Sequence, residues 1–398
     1  SMIYPRLVLA RDLLSADGAI FISIDDNESA NLRKICDEVF GAGCFIAQAV
    51  WQKRTSPDMR KRFSTGHEYV LAYMKSSDSV DTAINLLPLS ANDASAYKNP
   101  DNDPRGPWVS SDFTAQGFRP NQMYEIHTPG GAVYTPPEGT CWKNVESEYL
   151  RQAEEGRFWY GKDGRGMPRR KTYLSEREGR NSWTWWPNKE VGHTQEATKE
   201  LKSLFPNSST VFDFPKPVRL LERVVSLGSG PDSLVLDFFS GSATTAEAVM
   251  RKNAEDGGKR RFVLVQIPEE ASGGWGNLCN VGEERIRRAG AKIKAEVEET
   301  NKQLRLGEEP RPVPDVGFRV LRIDSSNMED TYRMPGDTEQ MDLLSLADNV
   351  KLDRTPEDLL FEVLPKFRIP YSAKIERRDL GGKECFLVDG NRLVACFD

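Results

Sequence analysis

Residues 234–250 read LVLDFFSGSATTAEAVM, and no other stretch constrains the fold as much. An apolar run ends at Asp237, a Ser-Gly-Ser turn follows, and a helical pattern starts at Ala243. A strand that passes through a glycine turn into a helix is half of a βαβ unit, which requires a parallel sheet with helices packed on it. The next strand follows in KRRFVLVQIPEE at 259–270. The expected class is therefore α/β, with a helix over 243–253, a strand over 262–267 and a helix over 281–299.

A turn of this kind has its own chemistry. Backbone N–H groups point outward at the start of the helix, and the helix dipole adds partial positive charge. Gly241 lets a ligand approach the backbone closely. Neither the dinucleotide fingerprint GxGxxG nor the phosphate loop GxxxxGK followed by Ser or Thr is present. An acid beside a helix N-terminus suits a ligand with both a carboxylate and an ammonium, such as a methionine-type tail. A plain βα connection has the same outline, so the loop alone leaves both readings open. The candidate contacts are Asp237, Phe238, Phe239, Ser240, Gly241, Ser242 and Thr244, with Gln266 and Glu269 placed to reach ribose hydroxyls.

The chain also opens with α/β texture. Residues 4–17 are helical in pattern, AIFISI at 19–24 reads as a strand buried on both faces, and a helix over 28–40 ends at Gly41. FIAQAVWQ and EYVLAYMK are two further strands flanking a basic loop at 53–66. From about 76 to 205 the texture changes to Pro, Gly, Asn and Trp, with six of the eight tryptophans. A segment that long without regular periodicity is functional rather than a linker.

Charge separates the same regions. The net charge is −6, yet Gly156–Lys189 holds nine Lys and Arg against three acids, and Trp51–Lys75 six against two. A basic footprint on an acidic chain fits a protein that meets phosphates on one face. Lys53, Arg54, Arg60, Lys61 and Arg62 in the loop, and Arg165, Arg169, Arg170 and Lys171 in the insert, are the candidate phosphate contacts. A solvated charged face is the alternative. Trp183, Trp185 and Trp186 suit either a small core or stacking on bases.

Other chemistries find little support. The six cysteines are scattered without a CxxC pair, which reads as thiols in a reducing cytosol. The three histidines have no partner pattern, no metal is expected, and no apolar run approaches the roughly 20 residues of a membrane helix.

FDFPKPVRLLERVV at 212–225, shortly before LDFFSGSATTAEAV, resembles the AdoMet-binding half of the amino-methylating DNA methyltransferases. More narrowly, the chain is similar to the modification (Mod) subunit of type III restriction-modification systems. MIYPRLVLARDLLSADGAIFISIDDNE, DNDPRGPW, EGRFWYGKDGRGMPRRKTYLSE and VGFRVLRIDSS share in that resemblance. It implies a class I AdoMet-dependent methyltransferase (Rossmann-like) sheet in the permuted beta-class order, with the catalytic half first and the AdoMet half after an inserted recognition domain. It places Lys216 and Pro217 against S-adenosyl-L-methionine. It also implies adenine N6 as methyl acceptor, double-stranded DNA with a flipped adenine as substrate, a restriction (Res) subunit and a second modification subunit as partners, and a prokaryotic cytoplasmic setting.

The expected domains are a catalytic-half remnant at 1–75, an irregular α+β target-recognition domain at 76–205, the AdoMet-binding half at 206–300, and an α+β appendix for subunit contacts at 301–398. In the appendix we expect a strand at GFRVLRI, acidic helices over 338–365 and a hairpin turning at Asp389-Gly390. The family's catalytic motif, usually Asp-Pro-Pro-Tyr, is expected a few dozen residues before MIYPRL. YTPPEG at 134–139 and NDPRG at 102–106 do not fit it. No catalytic residue is therefore assigned, and this chain is expected to be inactive as it stands. A truncated chain or a motif supplied on a separate chain would each explain the gap. Two rival readings remain: a DNA-binding protein that does not modify, and a cytosine-N4 methyltransferase. The missing motif predicts a further structural feature: the sheet is either split or completed by a neighbouring chain, since a parallel sheet tolerates a lost inner strand poorly.

Overall fold

The structure, a computed structural model, describes residues 2–206, 211–305, 309–329 and 349–397, without the side chains of 79–81. Two compact units divide at Val316 and Gly317.

In the first unit, the opening segment forms helices Ile3–Leu13 and Ser29–Phe40 and three strands: β1 (Ala19–Ile24), β2 (Phe45–Gln52) and β3 (His67–Met74). Gly41 ends the second helix at φ +94°, a conformation open to glycine. β3 lies centrally and is antiparallel to both neighbours, with Ile22 opposite Leu71 and Val50 opposite Tyr69. Leu7, Leu32, Cys36, Phe40, Leu71 and Tyr73 close the core between this sheet and the two helices. β1 differs from expectation: it is half-buried along most of its length rather than enclosed, because among the described residues β3 is its only sheet partner.

The returning α/β segment builds a parallel pair, Leu234–Asp237 beside Arg261–Leu264, with Asp237 opposite Leu264. Helices Val218–Gly228 and Thr244–Asp256 pack on one face through Val218, Val225, Ala248 and Val249. Leu234, Leu236, Val263 and Val265 on the other face stay exposed.

Among the described residues, β1 and Leu234–Asp237 belong to separate sheets, and no strand bridges them. The sheet is split, the first of the two alternatives expected above. Helix Val218–Gly228 holds the parts together instead. The Asn85 side-chain amide donates to Ser226 O and Ser229 O, at 3.1 and 3.0 Å. A Cβ at Gly228 would stand 2.5 Å from the Phe21 ring of β1, so only glycine admits this approach.

The middle segment is irregular α+β. Arg169–Tyr173 lies between Trp108–Asp112 and Phe158–Trp159, with two short strand pairs and helix Glu146–Glu154 beside them. Its core is aromatic: Phe113, Trp142, Tyr149 and Phe158. The chain is back on the first sheet by Trp185–Trp186, which pairs in parallel with β2.

In the second unit, helix Pro356–Val363 starts in a capping box of Thr355 and Asp358. It covers an antiparallel sheet of Ile375–Asp379, Glu384–Val388 and Leu393–Cys396. The hairpin turns at Asp389 and Gly390, both at positive φ. GFRVLRI is not a strand: it makes no ladder, and the Arg319 side chain reaches Ala373 O at 2.7 Å instead. Of the helices expected over 338–365, Pro356–Val363 is present, and 338–348 lies outside the described residues.

Candidate cofactor site and nucleic-acid interface

The loop after Asp237 is fixed from three sides. Asp237 accepts from the Phe239 N–H at 3.1 Å and from the Thr245 hydroxyl, which ties the strand end to the helix start. Gly241 sits at φ +51°, where a Cβ would come within 3.0 Å of the Phe212 ring. Its N–H donates to Gln266 Oε1 at 2.8 Å, and the Ser240 N–H donates to Val265 O at 3.2 Å. Ala243, the residue before the helix, is left-handed at φ +61° and supplies no side-chain cap. The first-turn N–H groups are thus left uncapped beside an acid.

Beneath the loop lies a residue that the sequence reading missed. Arg285, from helix Leu278–Lys302, is 0 % exposed. Its guanidinium donates to Ser242 Oγ at 2.9 Å and to Thr244 Oγ1 at 2.6 Å, and pairs with Glu247 at 3.0 Å. Burial pushes its pKa down, against the pull of Glu247. The signal was in the pattern: Val281, Arg285, Ala289 and Ile293 recur every four residues, an arginine in an apolar stripe.

Three of the expected contacts have protein partners here. The Ser242 and Thr244 side chains are buried and turned to Arg285, so only their backbone remains for a ligand. Gln266, expected at a ribose, accepts from the Gly241 N–H and donates to Ile267 O, which makes it a support of the loop. Phe239 and Glu269 stay exposed, and Phe238 packs beside Phe239 with ring centroids 5.2 Å apart.

Lys216 stands at a cleft of about 440 Å³ lined also by Trp51, Lys53, Arg54, Glu68 and His193, and Pro217 is not among its lining. Residues 237–244 are not among its lining. Lys216 pairs with Glu68 and lies 4.9 Å from the Trp51 ring centroid. Lys53 reaches the same carboxylate at 3.0 Å. Burial pushes the Glu68 carboxyl up, but Lys216 and Lys53 outweigh it and hold the group below its usual range. Gly192 packs against Pro217 and accepts the Trp51 indole N–H at 2.9 Å.

The candidate phosphate contacts separate into two groups. Arg54, Lys61, Arg62, Arg165 and Arg170 are exposed. Arg60 is exposed but bound to Asp58 at 2.9 Å, and Arg169 to Asp112 at 2.6 Å. Lys171 is a correction: it is 6 % exposed and ion-paired with Asp101 and Asp103. Its charge is spent inside the middle segment. Asp103 also accepts from Tyr173 at 2.7 Å and from Arg105 at 2.9 Å. The Arg105 hydrogen bond leads, against burial and with Lys171 and Tyr173, in holding its carboxyl well below the usual range. Of the tryptophans, Trp186 is core, while Trp183 and Trp185 are exposed.

A parallel strand pair with a helix between its strands and a glycine loop at its C-terminal edge, preceded in the chain by a basic segment, defines an α/β protein. The chain belongs to the DNA methylase family, whose sequence profile matches residues 1–272. It is 38 % identical over 320 residues to the StyLTI Mod subunit, a type III restriction-modification enzyme of Salmonella typhimurium, covering 76 % of this chain and 47 % of that one. Against the EcoPI Mod subunit of Escherichia phage P1 it is 33 % identical over 301 residues, covering 68 % and 45 %. The chain thus spans about half the length of these curated relatives. Against solved chains the superposition is slight. A DNA modification methylase of Thermus thermophilus complexed with S-adenosyl-L-methionine gives a TM-score of 0.32 at 15 % identity, covering 72 % of this chain and 76 % of that one. Among the described residues no helix is long and apolar enough to cross a membrane.

Proposed function

We propose that this chain binds S-adenosyl-L-methionine on the Asp237–Thr244 loop and double-stranded DNA through its basic segments, as the modification subunit of a type III restriction-modification system. The acceptor in this reading is adenine N6. A Res subunit and a second modification subunit are its partners, in the cytoplasm of a prokaryote. The observation that carries it is the Gly241 loop, held in a left-handed turn by Gln266 and Arg285 before an uncapped helix N-terminus. Family membership and the Mod-subunit relatives support it.

The residues fit such a group. The first-turn N–H groups suit its carboxylate, and Asp237 suits its ammonium. Bound there, it supplies an activated methyl group. An exocyclic amine conjugated into a base ring is a weak nucleophile, so the base must leave the stack and be held in line with that methyl. The exposed Arg54, Lys61, Arg62, Arg165 and Arg170 are assigned to phosphates, which position the duplex without reading it.

The second reading is DNA recognition without transfer. None of the 398 residues forms an Asp-Pro-Pro-Tyr or a Ser-Pro-Pro-Tyr motif, so the residues themselves do not separate adenine N6 from cytosine N4. Calorimetric titration of S-adenosyl-L-methionine into the chain, beside a Gly241→Asp variant, tests the first reading. Saturable binding lost in the variant supports it, whereas no binding by folded wild type removes the cofactor site. Transfer of labelled methyl to DNA, with and without an added motif-bearing segment, then separates the two readings.

A further inference from the structure

The loop between β2 and β3 carries two large apolar side chains almost wholly in water: Phe63 is 96 % exposed and Met59 92 %. Arg60, Lys61 and Arg62 lie between them in sequence and are exposed too. The loop has a defined shape. Its base is closed by the Lys53 and Arg54 N–H groups, both donating to Gly66 O at 2.9 and 3.3 Å. Its tip is tied by the Asp58 N–H to Ser64 Oγ at 2.8 Å and the Lys61 N–H to Asp58 O at 3.0 Å. Arg60 grips the Asp58 carboxylate through Nε and Nη2, at 2.9 and 3.0 Å.

A hydrogen-bonded tip that holds an aromatic ring and a thioether in solvent forgoes the usual gain from burying them. A partner that covers them explains the arrangement, and the flanking residues describe its chemistry. Cations beside an aromatic face match a polyanion with stacked rings. Apolar side chains set among cations are also the means by which DNA-bending proteins wedge between base steps. The same loop lines the cleft that holds Lys216 and Glu68, through Arg54, Asp58 and Arg60.

We propose that this tip enters the base stack of duplex DNA, with Phe63 stacking in the gap a displaced base leaves and the adjacent cations on the flanking phosphates. The proposal rests on the DNA-binding reading above and adds a residue and a role to it.

The test uses short duplexes of one sequence, intact or carrying a single abasic site, titrated against the full chain by fluorescence anisotropy. An abasic site removes the cost of opening the stack, so the wild type is expected to bind that duplex about tenfold more tightly, the equivalent of about 1.4 kcal/mol. Phe63→Ala is expected to bring the ratio of the two affinities to about one, and Phe63→Trp to restore it, since any aromatic face stacks. Arg62→Ala should weaken binding to both duplexes alike and lower the salt dependence by about one ion. Equal binding of both duplexes by the wild type, or a preference that survives Phe63→Ala, overturns the proposal. Failure to bind either duplex overturns the DNA-binding reading itself, along with the wedge. Phe63-dependent binding to phosphatidylserine vesicles without any abasic preference would assign the tip to an anionic membrane instead.

Discussion

Arg285 and Glu247 form a buried ion pair, 3.0 Å apart, directly below the loop that ends in Gly241, Ser242 and Thr244. The guanidinium divides its donors between the carboxylate and the loop, so one side chain ties together two helices and the candidate cofactor site. A buried pair of this kind is poor evidence for net stability, but breaking it leaves a charge without a partner.

Arg285→Ala is therefore expected to destabilise the chain by about 3–5 kcal/mol and to abolish binding of S-adenosyl-L-methionine. Arg285→Met combined with Glu247→Leu should recover part of the stability while the loop stays loose and binding stays lost. Thermal unfolding and calorimetry on the same samples separate the two effects. A double variant that binds normally would remove Arg285 from the support of the loop.

Lys171 and Arg170 are neighbours with opposite expected behaviour. Arg170 is exposed, and Arg170→Ala should leave the melting temperature unchanged while reducing DNA affinity and its salt slope. Lys171→Ala leaves the buried Asp103 beside Asp101 without the cation they share, at a cost of about 3 kcal/mol. Denaturant unfolding should register Lys171 strongly, and salt-dependent DNA titration should register Arg170.

Acid should act on the middle segment, residues 76–205, through Asp103. Its folded pKa lies below its unfolded value, so its contribution is fully present above about pH 3.9. That contribution is lost as pH falls from there toward the depressed folded value. Unfolding followed by tryptophan fluorescence between neutral pH and about pH 3 should show this loss, and Asp103→Asn should flatten the acid limb. An unchanged acid limb in the variant would assign the pH response to other carboxylates.

Gly228 and Phe21 test the joint between the two sheets. Gly228→Ala drives a methyl into the Phe21 ring and should cost about 1–3 kcal/mol. Adding Phe21→Leu should restore most of it, because the obstacle is that ring. A double variant no more stable than Gly228→Ala alone would place the strain elsewhere.

Local pattern was enough to read most elements. Helices Ser29–Phe40, Thr244–Asp256 and Leu278–Lys302 and the hairpin at Asp389-Gly390 lie where apolar spacing, a stop glycine or turn chemistry put them. These signals belong to near neighbours in the chain, so they survive without knowledge of the fold. GFRVLRI misled because alternation marks a segment able to pair, while a strand also needs a partner at the right distance. The split of the sheet was anticipated, but its joining through Gly228 and Phe21 was not, since those residues lie 207 positions apart.

The same boundary runs through the site. The sequence alone determined the glycine loop after Asp237, its place late in the chain and the two basic segments around the insert, since each is a matter of residue type and order. Which polar side chains face a ligand was decided only by the tertiary structure. Ser242, Thr244 and Gln266 look like ligand contacts in one dimension and are turned inward by Arg285 and Gly241. Lys171 and Arg170 are both plain cations until Asp101 and Asp103, some 70 residues away, take one and leave the other. Burial and pairing depend on partners brought together from distant parts of the chain. A charge reads as functional from sequence and becomes structural only when the fold supplies its counter-charge in a site that excludes water.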